Sequence, residues 1–291
     1  MAPLRLNVLD QSPISEGSTA AQALHNTLDL ARLADRLGYH RYWVAEHHAT
    51  PMLACAAPEV LIGPLALATE RIRVGSGGVM LPHYSPLKVA EQFSMLSGLA
   101  PGRIDLGLGR APGTDQLTML ALQRDRNHVL RDDFAEQLSE LLAYLENRLA
   151  PNHPFARLAR TLPGLPERPQ PWLLGSSPQS GIWAAQLGLP YSFADFINPQ
   201  GAAIVADYRA RFVDSERLAA PLVSAGVHVI CADTDDEAQR LAASGRMSFS
   251  LLRQGRLIPI PPVEKALRWQ ESRESEARPP GSSGRRAIIG S

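Results

Sequence analysis

The chain has 291 residues, 45% hydrophobic and 20% charged, a balance that describes a folded globular protein and excludes a disordered one. Its 29 basic and 29 acidic residues cancel, which leaves no global field to attract nucleic acid or an anionic membrane, so any anion must be held locally. The N-terminal MAPLRLNVLD lacks the apolar core of a signal peptide, no stretch approaches the roughly eighteen apolar residues of a membrane span, and Cys55 and Cys231 form no CxxC pair; the expectation is a soluble, cytoplasmic chain with both cysteines buried.

Short apolar runs alternate with Gly/Pro/Ser-rich loops and helical segments, as repeated βα units on a parallel sheet require. Leu4 to Leu9 is the first predicted strand. Thr19 with Gln22 resembles a capping box, after which Leu24, Leu28, Ala31, Ala34 and Leu37 mark one helical face until Gly38 stops it. Arg41 to Ala45 and Ile72 to Val79 read as the next strands. Ser85 and Pro86 suit the cap and first turn of a helix that buries Val89, Phe93 and Leu96. Ile104 to Gly109 is the fourth strand, followed by a helix from about Val129 to Leu149. Proline and glycine make residues 151–171 a long connector, and Trp172 to Leu174 a fifth strand with Gln179 to Leu187 as its helix. Tyr191 to Phe196, a helix from Ala202 to Phe212, a seventh strand from Val223 to Cys231 and a helix from Asp235 to about Phe249 complete the regular part. Residues 253–285 read as an irregular insertion or lid with a charged helical patch at Glu264 to Glu276 and a flexible run at Pro279 to Gly284. Ala287 to Ile289 then begins an eighth apolar run.

This pattern predicts one α/β domain over residues 1–291, a (β/α)8 TIM-type barrel that is incomplete or irregular in its C-terminal sector, with the closing strand and helix missing after Ser291. A doubly wound dinucleotide fold is disfavoured because no G-x-G-x-x-G opens a helix after the first strand.

Barrel chemistry belongs at the carboxyl ends of strands, and four such ends stand out. Glu46-His47-His48 closes the second strand; neighbouring histidines there point to opposite faces, and their spacing is poor for a metal, so no metal is expected. At the third strand, Gly75-Ser76-Gly77-Gly78 implies either close approach of something flat or plain curvature. Arg110, after Gly107-Leu108-Gly109, suits a phosphate or carboxylate and equally a salt bridge. The fifth end, Gly175-Ser176-Ser177-Pro178-Gln179-Ser180, offers hydroxyls and a helix N-terminus to a phosphate, although an ordinary serine cap explains Ser177 as well.

Taken together, LNVLDQSPI (Leu6 to Ile14), YWVAEHH (Tyr42 to His48), IRVGSGGVMLPHYSPLKVAEQF (Ile72 to Phe93), GRIDLGLGRAPGTD (Gly102 to Asp115) and PWLLGSSPQSG (Pro171 to Gly181) resemble the bacterial luciferase-like monooxygenase family, from about residue 4 to 250. The resemblance implies FMN, or the deazaflavin F420 as in some relatives. It implies His47 as acid/base with Glu46 supporting it, Ser76 and Gly77 as a tight backbone site under the ring that in relatives is often a non-proline cis bond, and Arg110 near phosphate or ring oxygens. Gly175, Ser176, Ser177 and Ser180 would hold phosphate, and Met80, Leu81, Met95, Trp172 and Phe193 would wall the site. It also implies reduced FMN from a separate reductase, O2, a small organic substrate and a homodimer. The alternatives are F420-dependent hydride transfer and a non-catalytic flavin-binding relic; a metal-dependent hydrolase has no ligand cluster to rest on.

Overall fold

The computed structural model describes residues 4–110, 114–123, 132–274 and 287–291. Two compact units divide the chain, the first comprising Met1–Ser12, His25–Ala49 and Cys55–Leu174, the second Pro13–Leu24, Thr50–Ala54 and Gly175–Ser291. Among the described residues no helix is long and apolar enough to cross a membrane.

In the first unit, β1 (Asn7–Asp10), β2 (Arg41–Val44), β3 (Arg73–Met80), β4 (Ile104–Gly109) and β5 (Gln170–Gly175) lie parallel in chain order. The helices between them are α1 (Ala20–Arg36), α2 (Pro58–Ala68), α3 (Pro86–Leu99), α4 (Gln116–Leu122) and α5 (Phe134–Glu146). Helix α1 starts at Thr19, whose hydroxyl accepts the Gln22 N–H at 3.1 Å. It stops where Gly38 takes φ +78°, with the Tyr39 N–H donating to Ala34 O and the Gly38 N–H to Asp35 O. Its buried stripe is Ala23, Thr27, Ala31 and Ala34; Leu37, expected on that face, is exposed.

Period-two alternation sends Tyr42, Val44, Val74, Ile104 and Leu106 to one side of the sheet, all fully or almost fully buried with Ile62, Leu65 and Phe93 of α2 and α3. The opposite side of the strands' first halves carries an ionic knot. Asp105 receives Arg41 Nε at 2.9 Å and Trp43 Nε1 at 3.0 Å on one oxygen, and Arg73 Nε at 2.8 Å and Nη2 at 2.6 Å on the other. The glycines of β3 and β4 are explained by the neighbouring strand: a Cβ at Gly75 would lie 2.3 Å from Asp105 O, one at Gly78 2.8 Å from Gly107 O, and one at Gly107 2.1 Å from Ser76 O. Close approach of the neighbouring strand's main chain, which neither sequence reading named, accounts for these three positions.

Asp35, near the end of α1, accepts the N–H groups of Glu70 at 2.8 Å, Ile72 at 2.9 Å and Arg71 at 3.2 Å, which fixes the turn leading into β3. Burial opposes its charge, but the Glu70, Ile72 and Arg71 N–H groups with the Arg71 guanidinium outweigh that and hold the carboxyl below its usual range. A depressed carboxyl contributes stability that is present above its unfolded pKa and lost as pH falls through the folded one. Asp35→Asn should therefore lower stability at neutral pH by on the order of 2 kcal/mol. The gap from the parent should close below about pH 4 in urea unfolding across pH; a gap that stays constant would refute the assignment.

In the second unit, β6 (Tyr191–Ala194) pairs in parallel with β7 (Val223–Gly226), flanked by α6 (Pro178–Gln186) and α7 (Gly201–Arg211). Tyr208 of α7 is fully buried and its hydroxyl donates to Leu189 O at 2.9 Å. The expected seventh strand, Val223 to Cys231, is two strands. The run breaks after Gly226, which packs against the Phe196 ring and accepts the Phe196 N–H, and β8 (His228–Cys231) pairs instead with β9 (Ala287–Gly290). Cys231 is consequently exposed, not buried, while Cys55 is buried as expected. Helices α8 (Asp235–Leu252) and α9 (Val263–Glu274) bury Ala243, Met247, Leu251 and Ala266 together. The connector 151–171 contains a 3-10 turn, Ala156–Thr161, and the run at Pro279 to Gly284 lies outside the described residues.

Candidate active site

The β2 exit is built around Glu46. Its carboxylate is 1% exposed and has donors from three segments: His48 Nε2 at 2.7 Å, the Tyr84 hydroxyl at 2.9 Å, and the Met80 N–H at 2.9 Å. Glu46 thus ties the end of β2 to the end of β3 and to the turn after it. The sequence placed Glu46 behind His47; the structure puts His48 on it, because the residue two positions on along an extended segment shares its side. The His48 ring stands edge-on to His83, their centroids 5.8 Å apart. Burial and the Glu46 carboxylate push the Tyr84 phenol well above its ordinary range, so it stays a donor. Burial likewise raises the carboxyl of Glu59 and pushes the Cys55 thiol up to about 12.

His47 is half-buried, its N–H donating to Cys55 O at 3.0 Å, and Ala49 just beyond takes a left-handed φ of 49°. Alternation directs His47 to the side opposite the Glu46 clamp. Beside this turn, β3 carries a cis peptide between Gly77 and Gly78, and the β3–β4 register shifts between Gly77 and Val79.

Two other expected contributors are engaged. Ser76 is fully buried and its hydroxyl donates to Gly107 O at 2.8 Å, so it fastens β3 to β4. Arg110 is half-exposed at the β4 exit and pairs with Asp132 at 2.8 Å. Met95, expected in the wall, is 54% exposed on α3, whereas Leu81, Trp172 and Phe193 are buried.

In the second unit, Ser177 caps α6 by accepting the Ser180 N–H at 3.4 Å, a long bond. The Ser180 hydroxyl donates to Ser177 O at 2.7 Å and lies 2.9 Å from the Tyr191 hydroxyl, while the Asn198 amide donates to Ser176 O at 2.7 Å. A Cβ at Gly175 would sit 2.3 Å from Ser180 Oγ, so only glycine fits. The turn is preorganised and neutral, with the helix N-terminus as its one source of positive potential. Among the described residues no three His, Cys, Asp or Glu gather as a metal site.

Trp172, expected in the wall, is 1% exposed, and its indole Nε1 has no hydrogen-bond partner among the described residues.

Parallel strands in chain order, with helices between them and polar groups at their carboxyl ends, define the α/β-barrel class. The family model described as luciferase-like monooxygenase matches residues 4–286, and the chain belongs to that family. It is 44% identical over 273 residues to the N-acetyl-S-alkylcysteine monooxygenase of Bacillus subtilis, covering 92% of this chain and 80% of that protein. The crystal structure of apo-MsnO8 superposes with a TM-score of 0.87 at 42% identity over 99% of this chain and 84% of that one. The oxygenating constituent of 3,6-diketocamphane monooxygenase from Pseudomonas putida, solved with FMN, matches at TM-score 0.65 and 21% identity over 86% of this chain and 74% of that one, a likeness of fold. The chain is accordingly an oxidoreductase of the luciferase-like monooxygenase family, with the family's barrel fold, irregular in its C-terminal part.

Proposed function

We propose that the chain oxidises a small organic substrate with O2 and reduced FMN, the flavin arriving from a separate reductase. The observation that carries this reading is the β2 exit, where a half-buried His47 follows Glu46, whose carboxylate ties that turn to His48 and to Met80 at the end of β3. The FMN seen with a structure of the same fold supports the choice of cofactor. Reduced flavin, when bound, supplies the electrons that activate oxygen. The protein's part is to hold the ring, exclude water and move a proton at one position.

In this reading His47 takes and returns that proton through its imidazole, and Glu46 keeps the turn in place through His48 and Met80. Gly77 contributes backbone under the ring, and Ser76 holds that backbone against β4. Arg110 exchanges Asp132 for a ring or phosphate oxygen. The α6 turn offers phosphate the Ser176 and Ser177 hydroxyls and its leading N–H groups, with Gly175 and Ser180 setting the turn's shape.

Anaerobic titration with reduced FMN should give a saturable change in the flavin spectrum, and admitting air should consume oxygen; an unchanged spectrum ends the proposal. F420 run in parallel decides between the cofactors, since tighter binding and hydride exchange with F420 would replace FMN. NADH without a reductase should support no oxygen uptake.

A further inference from the structure

The geometry points to an anion site at the amino ends of β1 and β2, where Arg5 and the His40 ring N–H take a tetrahedral oxyanion of the phosphoryl type. Strand β2 runs from Arg41 to Val44, so His40 precedes it while Glu46 and His47 follow it, and the two sites belong to opposite ends of the strand. The His40 backbone N–H donates to Leu6 O at 2.8 Å, which sets its side chain beside Arg5. Both ring nitrogens then meet a guanidinium. Arg41 Nη1 contacts Nδ1, and Arg5 Nη1 lies 3.4 Å from Nε2.

A neutral imidazole has one N–H and one bare nitrogen, and a guanidinium can only donate. In either tautomer one His40 N–H therefore faces another donor. The closer contact is with Arg41, so Nδ1 accepts there and the proton sits on Nε2, towards Arg5. Protonating the ring adds a second such clash, and burial together with the Arg41, Arg5 and Arg73 charges holds its pKa below the ordinary value, so the ring is neutral at pH 7.

The carboxylate at hand is already saturated. Asp105 takes Arg41 Nε and Trp43 Nε1 on one oxygen and Arg73 Nε and Nη2 on the other. Arg41 Nη2 goes to Gln170 Oε1 at 3.1 Å, and Arg73 spends its remaining N–H groups on Gly102 O and Ile104 O. Arg5 is exposed and has no carboxylate partner among the described residues. Three guanidinium groups thus stand against one carboxylate, and what the cluster lacks is an anion with several acceptor oxygens. The planar fork of Arg5 suits two of them side by side, and the His40 N–H, which is partly open to solvent, reaches a third. Chloride satisfies one donor at a time; a phosphoryl group satisfies the fork and the ring together.

The His40 ring is the reporter. Imidazole 15N spectra are followed at pH 7 while inorganic phosphate replaces chloride at constant ionic strength, with His40→Gln identifying the signal. That signal should move saturably, and its titration midpoint should rise in phosphate, because a neighbouring anion favours the protonated ring. Arg5→Gln should bind phosphate about tenfold more weakly and turn over oxygen as the parent does. Phosphate taken up at the α6 turn would not respond to the Arg5 substitution. Glycerol phosphate distinguishes the source: if it moves the signal as inorganic phosphate does, the site accepts a phosphoryl group on a larger molecule, and if inorganic phosphate alone moves it, the ligand is the free ion.

A His40 signal that stays put, or that moves equally in chloride, overturns the inference, and so does equal phosphate affinity in Arg5→Gln. Should His40→Gln not fold, the signal is identified in chloride from Arg5→Gln, where loss of a neighbouring cation raises the His40 midpoint.

Discussion

His47→Ala should lose about two to four orders of magnitude in reduced-FMN-dependent oxygen turnover while still binding the flavin, because a single positioned acid/base group contributes that much. The neighbouring histidine supplies the control. His48 is bonded to buried Glu46 at 2.7 Å, so His48→Ala removes one of that carboxylate's donors and should lower stability as well as rate. His47 points away from this clamp, and its loss should leave the melting temperature near the parent's. Oxygen uptake with photochemically reduced FMN, read beside a binding titration, separates the two. If His47→Ala turns over as the parent does, the acid/base group lies elsewhere, and Tyr84 is the next group to replace.

Asp105→Asn should cost about 3–5 kcal/mol of folding stability, a large share of the roughly 5–15 kcal/mol that holds an ordinary domain together. The carboxylate is wholly buried and is the shared acceptor of Arg41, Arg73 and Trp43. An amide cannot balance two guanidinium groups, and its NH2 would face donors where an acceptor is needed. Burial already works against the charge on Arg41, and Asp105 is the group that offsets it. The urea midpoint should fall at unchanged slope, whereas a loss under about 1 kcal/mol would show that solvent reaches the knot. Trp43→Phe, which removes one donor and no charge, should cost far less and serves as the milder probe if the asparagine variant does not fold.

The strands and their order were legible because buried parallel strands are near-continuous apolar runs between glycine and proline loops, as at Trp172-Leu173-Leu174 in β5. Helix α2 was not. It carries Pro58 at its start and Pro64 inside it, and it is apolar on nearly every side, so neither a helical stripe nor freedom from proline announces it. Helix α4 is one short segment capped by Asp115, too brief to show a period. The split at Gly226 was hidden because β7 and β8 are equally apolar, and only the pairing partner distinguishes them.

At the site, residue types and strand ends were readable while side-chain commitments were not. Ser76 was expected to lend backbone beside Gly77, and its hydroxyl is committed to Gly107 O, which no sequence displays. Glu46, expected to support His47, is bonded to His48 at 2.7 Å, and which ring meets it depended on which way an extended chain turns each one.

The way β3 meets its neighbours also tells an engineer where the interior can be reshaped. Even one extra methyl at Gly75 or Gly107 would collide with main-chain oxygens that have nowhere to retreat. Opposite Gly77 the obstacle is different: a Cβ there would sit 2.4 Å from Leu9 Cδ1, the movable tip of a side chain. Trimming Leu9 to alanine thus relieves the closest obstruction over Gly77 and leaves Trp43 Cβ, 3.0 Å from the same point, as the limit on how far that space can be enlarged.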